Sequence, residues 1–192
     1  MHGQQETLPA REYLTFEVGA KGSTWLIEDG WLFGLRTEAD GAMKSGALLG
    51  PGDLLGIAGL GLDQGRDLLT YTLTEVQVYK VPTYLLERFI AHDPELSRRL
   101  LLYMIGRYNE LLAELHRSTL LPLADRIESF LAYMERRLAE TGDDDIYLSQ
   151  ATLAMAVGAH PVSVSRAIHQ AGRAESVLAR LMNKGASGVH LE

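Results

Sequence analysis

Apolar residues follow two different patterns along the chain. From Tyr13 to Val81 they come in short bursts: Trp25-Leu26-Ile27, Trp31-Leu32-Phe33-Gly34-Leu35, Ala47-Leu48-Leu49 and Leu73-Thr74-Glu75-Val76-Gln77-Val78. Between them stand turn formers, Asp29-Gly30, Ala39-Asp40-Gly41, Gly50-Pro51-Gly52-Asp53 and Gln64-Gly65. Short β-prone bursts at this spacing predict a small antiparallel barrel or roll. After Pro82 the apolar period becomes three to four, that of a helix. Thr83 is expected to cap a short helix through Ala91, and Asp93-Pro94 to open a second, with Asp at the cap and Pro in the first turn.

The second helix runs to about Arg117. Leu100, Leu101, Met104, Ile105, Tyr108, Leu111, Leu112 and Leu115 fall on one stripe, roughly 35 Å long at the α-helical rise. A small roll is too short to cover it. Either another helix of the same chain does so, or a second copy forms a two-fold seam through Leu101, Ile105, Tyr108, Leu112 and Leu115. Pro122 breaks the pattern, which places a hinge at 118–123. Leu123–Glu140 is amphipathic again, with Ile127, Phe130, Leu131, Met134 and Leu138 on one face. The division expected is a roll over 1–92, the long helix and hinge over 93–120, and a helical domain over 121–192.

That last domain holds the segment most informative about function, residues 146–170. Ser149 is a good N-cap, and Leu153, Ala154 and Val157 share an apolar face. Gly158 suits the positive φ of a sharp turn, and Pro161 suits the first turn of a following helix. Val164 and Ile168 then point inward, leaving Val162, Ser163, Ser165, Arg166 and His169 outward. A face with hydroxyls, one Arg and no acid suits the DNA major groove. A hairpin of helices that merely packs is the plainer alternative.

Composition narrows the choices. The 192 residues carry 18 Lys+Arg against 25 Asp+Glu, a net charge of −7, which taken whole argues against nucleic acid. The charge is unevenly spread. Residues 146–192 hold Arg166, Arg173, Arg180 and Lys184 against Glu175 and Glu192, a net of +2, so residues 1–145 carry −9. The absence of Cys excludes disulfides, thiolate haem, cysteine-held iron–sulfur clusters and thiol sensing. The six histidines lack ligand spacing, and the acidic run Thr141–Asp145 lacks the Glu and Gly of a calcium loop, so no metal is expected. No nucleophile–base motif or phosphate loop stands out, and an enzyme is not expected. No apolar run approaches a membrane span or signal core, so the cytoplasm is the expected compartment.

Taken in order, these segments resemble the cyclic-AMP-receptor/fumarate–nitrate-regulator (CRP/FNR) family of bacterial transcription factors. The resemblance rests on Gly50-Pro51-Gly52-Asp53-Leu54-Leu55-Gly56, similar to the family's Gly-Asp-x-x-Gly turn, on the helix after Asp93-Pro94-Glu95-Leu96, and on Ala124-Asp125-Arg126-Ile127. Most of all it rests on Leu148-Ser149, Leu153-Ala154, Val157-Gly158 and Val164-Ser165-Arg166, similar to its helix-turn-helix. It implies an α+β fold: an N-terminal antiparallel β-roll like a cyclic-nucleotide-binding domain, a long dimerisation helix and a C-terminal helix-turn-helix domain of winged-helix type. It implies a homodimer on palindromic double-stranded DNA, read by Ser149, His160, Val162, Ser163, Ser165, Arg166 and His169, with RNA polymerase as a further candidate partner.

Departures from the family shape the expectations. Ile57 stands where cyclic-nucleotide binders carry Glu, and Leu68-Leu69 where they carry Arg-Ser, so the nucleotide site is degenerate and no cofactor is expected; the effector is an unfamiliar small molecule or absent. Phe16–Gly19 is followed almost at once by Trp25–Gly30, which implies a short front to the roll. Pro161 and Val162 replace base-reading polar residues, which implies a different operator, with Arg166 on guanine. Residues 172–182 read as a helix where a wing is usual. A dimeric sensory or scaffold protein with a degenerate DNA-binding end is the alternative function.

Overall fold

In the computed structural model the described residues are 3–19, 21–37, 43–61, 66–142, 146–171 and 189–191. The chain divides into two compact units, Met1–Arg36 with Gly46–Leu112, and Thr37–Ser45 with Ala113–Glu192.

The first unit holds most of an antiparallel roll of two four-stranded sheets. Strands β1 (Gln4–Leu8), β8 (Val76–Pro82), β3 (Ser23–Asp29) and β6 (Leu54–Leu55) pair in the order β1-β8-β3-β6. Strands β2 (Tyr13–Val18), β7 (Arg66–Thr72), β4 (Leu32–Thr37) and β5 (Met43–Leu49) pair as β2-β7-β4-β5. Alternation decides which side chains face in. Phe16 and Val18 of β2, Trp25 and Ile27 of β3, Leu32 of β4, and Val76 and Val78 of β8 are all buried and join Leu8, Leu49 and Leu55 in one core. Phe16 meets Trp25 edge to face, with ring centroids 4.7 Å apart.

Two expectations for this unit need correction. Leu73–Val78 is not one strand: β7 ends at Thr72 and β8 begins at Val76, with a turn between them. Trp31 fixes that turn, its carbonyl accepting from Leu73 N–H at 2.8 Å and its N–H donating to Thr74 Oγ1 at 2.9 Å. Two strands, β1 and β2, precede β3 at the front of the roll. Thr83 is not a cap; it is the buried first residue of α1 (Thr83–His92), and the cap position is Pro82.

Helix α2 (Pro94–Leu120) starts where the Asp-Pro pair placed it. Asp93 Oδ1 accepts from the backbone N–H groups of Glu95 and Leu96, each at 3.0 Å, satisfying two donors that a helix start leaves open. Arg98 and Arg99 both bond Glu95 and hold its carboxyl below the usual range. In the second unit, α3 (Leu123–Thr141) buries Ile127, Phe130, Leu131, Met134 and Leu138, the face its period predicted. With them lie β9 (Ile146–Leu148), α4 (Gln150–Ala156), α5 (Pro161–Ala171) and β10 (Val189–Leu191), which pairs with β9 in parallel. The sequence offered no signal for β10. The helix expected over 172–182 lies outside the described residues. Among the described residues no helix is long and apolar enough to cross a membrane.

Candidate nucleic-acid interface

Helices α4 and α5 pack on each other, and α5 packs on α3. Ser149 caps α4: its Oγ accepts from Thr152 N–H at 3.0 Å and lies 2.8 Å from the Thr152 hydroxyl. The hydroxyl therefore works inside the protein. Leu153, Ala154 and Ala156 are buried, and the chain then turns through Gly158 at φ 62. An ordinary side chain would be strained there. The Ala154 carbonyl accepts from the N–H of Ala159 at 2.9 Å, closing the turn.

Helix α5 starts on His160, whose carbonyl accepts from Ser163 and Val164 at 2.9 and 3.1 Å. Its ring Nδ1 accepts from Val162 N–H at 3.3 Å. Val164 and Ile168 are buried and fix the roll of the helix about its axis. That orientation exposes His160, Pro161, Val162, Ser163, Arg166 and His169, with Ser165 half-buried. The seven residues expected to read DNA therefore divide. Six fall on or beside one open face of α5, and Ser149, half-buried, caps α4. No acidic residue occurs in either helix. The face combines one fixed cation, two imidazoles, two hydroxyls and the Val162 methyls, groups that can meet phosphate oxygens, base edges and a thymine methyl.

On α2 the stripe Leu101, Ile105, Tyr108, Leu112 and Leu115 is 45% to 61% exposed. The other side of that helix is tied to the roll. Tyr103 OH accepts from Leu54 N–H at 3.0 Å and donates to Asp53 Oδ1 at 3.5 Å; Arg107 lies 3.7 Å from the same oxygen and donates to Leu48 O at 3.2 Å. Asp53, itself buried, also accepts from Gly50 N–H at 2.9 Å. Burial and the charge of Asp53 push the Tyr103 phenol up. The Gly-Asp turn was legible in the sequence, but its clasp on Tyr103 and Arg107 was not, since the partners lie about fifty residues away.

Of the residues expected to mark a degenerate nucleotide site, Ile57 opens a short 3-10 turn and is half-buried. Leu68 packs against the core, while Leu69 alternates to the other face of β7. Among the described residues no group of three or more His, Asp or Glu is placed to hold a metal.

FixK2 from Bradyrhizobium japonicum superimposes with a TM-score of 0.76, covering 97% of this chain and 90% of that one at 21% identity. A CRP/FNR-family transcriptional regulator from Thermus thermophilus does so at 0.72, covering 95% and 90% at 18% identity. The fold is that of the CRP/FNR regulators. The c-di-GMP-responsive global regulator CLP of Xanthomonas campestris follows at 0.71, covering 97% and 92% at 18% identity. No protein-family model and no curated protein matches the sequence.

Proposed function

We propose that this chain is a sequence-specific DNA-binding transcription regulator that acts as a homodimer on a palindromic site. The observation that carries the reading is the α5 face: exposed, free of acids, and oriented by Val164 and Ile168 so that Val162, Ser163 and Arg166 stand outward together. The CRP/FNR fold supports the same role. Arg166 pairs with guanine, Val162 meets a thymine methyl, and Ser163 and Ser165 reach bases or phosphates. The half-sites of such a palindrome lie about 34 Å apart, one turn of DNA, and each would take one α5 helix of the dimer. RNA polymerase is the partner a regulator of this kind would meet, and the protein acts by binding rather than catalysis.

Cyclic AMP is not the effector in this reading. Ile57 stands where the ribose would be held and Leu68-Leu69 where the phosphate would be, and a phosphate buried against leucines costs several kcal/mol. Calorimetry with cyclic AMP is expected to show no micromolar binding.

Selection of bound duplexes from a random pool tests the reading. A palindrome should emerge, and Arg166→Ala should abolish the preference for one G in each half-site. A pool that never enriches would instead favour a dimeric sensory or scaffold protein.

A further inference from the structure

We propose that His169 is a specificity-determining residue that selects a base bearing an exocyclic amine, adenine or cytosine, on one strand of the half-site. The inference rests on α5 being the DNA-reading helix and adds the hydrogen-bond polarity of its two exposed histidines. His169 Nδ1 lies 2.9 Å from the carbonyl oxygen of Ser165. A carbonyl can only accept, so Nδ1 carries the proton, and in the neutral ring Nε2 is left as a bare acceptor. His160 is the reverse. Its Nδ1 accepts from the N–H of Val162, so its Nε2 carries the proton and donates.

Two backbone bonds thus hold two exposed imidazoles in opposite tautomers. The donor at His160 suits a phosphate oxygen. The acceptor at His169 repels phosphate and suits the N6 amine of adenine or the N4 amine of cytosine, both of which stand in the major groove. His169 follows Arg166 by three residues, about 4.5 Å along the helix, which is close to one base step of about 3.4 Å. The base pair it reads is therefore a neighbour of the guanine read by Arg166. Every pair carries one major-groove amine, so what the ring selects is the strand: A or C in place of G or T.

The test is selection from random duplexes at mildly alkaline pH, with the wild type, His169→Ala and His169→Lys. The wild type should prefer A or C about fivefold in one column beside the Arg166-dependent G, the worth of about one hydrogen bond. His169→Ala should flatten that column alone, and His169→Lys, which only donates, should turn it toward G or T. An unchanged motif in His169→Ala overturns the inference while leaving the DNA reading intact. So does a uniform loss of affinity across all sequences, which marks a phosphate contact. A wild-type pool without any palindrome removes the DNA reading, and the inference with it. Nitrogen-15 spectra of the free protein provide a second check, since an Nε2–H tautomer at His169 contradicts the argument.

Discussion

Replacing Ile105 on the α2 stripe puts the dimer to its most direct test. Ile105 is 48% exposed, and its neighbours on the stripe run from 45% at Leu112 to 61% at Leu101. Full burial of such a side chain contributes about 1.5–3 kcal/mol, so roughly half of that, about 1 kcal/mol, is still to be gained at each. A two-fold seam uses every position twice. Ile105→Ala should then weaken the dimer by about 2 kcal/mol, roughly thirtyfold in the dissociation constant. Ile105→Asp adds two facing carboxylates to a desolvated seam, several kcal/mol more, and should yield monomers. Ile105 leaves about half of its surface uncovered within one chain, and circular dichroism checks that the fold persists in both variants. Sedimentation equilibrium over a concentration series reads the dimer constant. Phe89→Asp on α1 is the control, equally exposed at 46% but off the stripe. A wild-type chain that stays monomeric throughout, or an Ile105→Asp variant as dimeric as the wild type, refutes the seam. So does Phe89→Asp if it disrupts as strongly.

Other substitutions probe the pieces that hold the site in place. Ser149→Ala removes the oxygen that accepts from Thr152 N–H and should cost about 1 kcal/mol in denaturant unfolding; no loss would mean that another group caps α4. Gly56→Ala and Gly52→Ala separate backbone strain from crowding. Both glycines have φ near +85°, but a Cβ at Gly56 would lie 2.8 Å from Val18 Cγ1, while one at Gly52 meets nothing within 4 Å. Gly52→Ala should cost about 1 kcal/mol and Gly56→Ala clearly more; equal costs would contradict the packing around the turn. Tyr103→Phe tests the clasp on the roll. The Tyr103 phenol is raised above its ordinary 10.0, first by burial and then by Asp53. Its contribution to stability is thus complete below about pH 10 and is lost as pH rises beyond it. The wild type should lose stability on alkaline titration more steeply than Tyr103→Phe, and parallel curves would refute the assignment.

What could be read in the sequence follows the range of the interaction that fixes each element. Asp93-Pro94 opens α2 through bonds two and three residues away, and Ser149, Gly158 and Pro161 set α4, the turn and α5 within a short stretch of chain. These short-range signals were legible, and so was the buried face of α3. β1 carried no such signal: in Gln-Gln-Glu-Thr-Leu only Leu8 is buried, and the segment is a strand because β8, far along the chain, lies beside it. The turn at Leu73–Glu75 has neither Gly nor Pro, and its bonds to Trp31 are invisible to a local reading, so the unbroken β-prone run from Leu73 to Val78 simulated one strand.

The reading face shows both limits at once. Periodicity was enough to turn Val162, Ser163, Arg166 and His169 outward, because burying Val164 and Ile168 leaves no other orientation. It could not give the chemistry of the rings. His160 and His169 are the same residue type on the same face, yet one ring nitrogen meets an N–H and its counterpart meets a carbonyl, so they present opposite polarity to whatever lies in front of them. The sequence placed both among the DNA-reading residues without distinguishing them. A surface described by residue type alone thus merges a donor with an acceptor, and on a helix with one fixed charge that difference is a large part of what a base pair could distinguish.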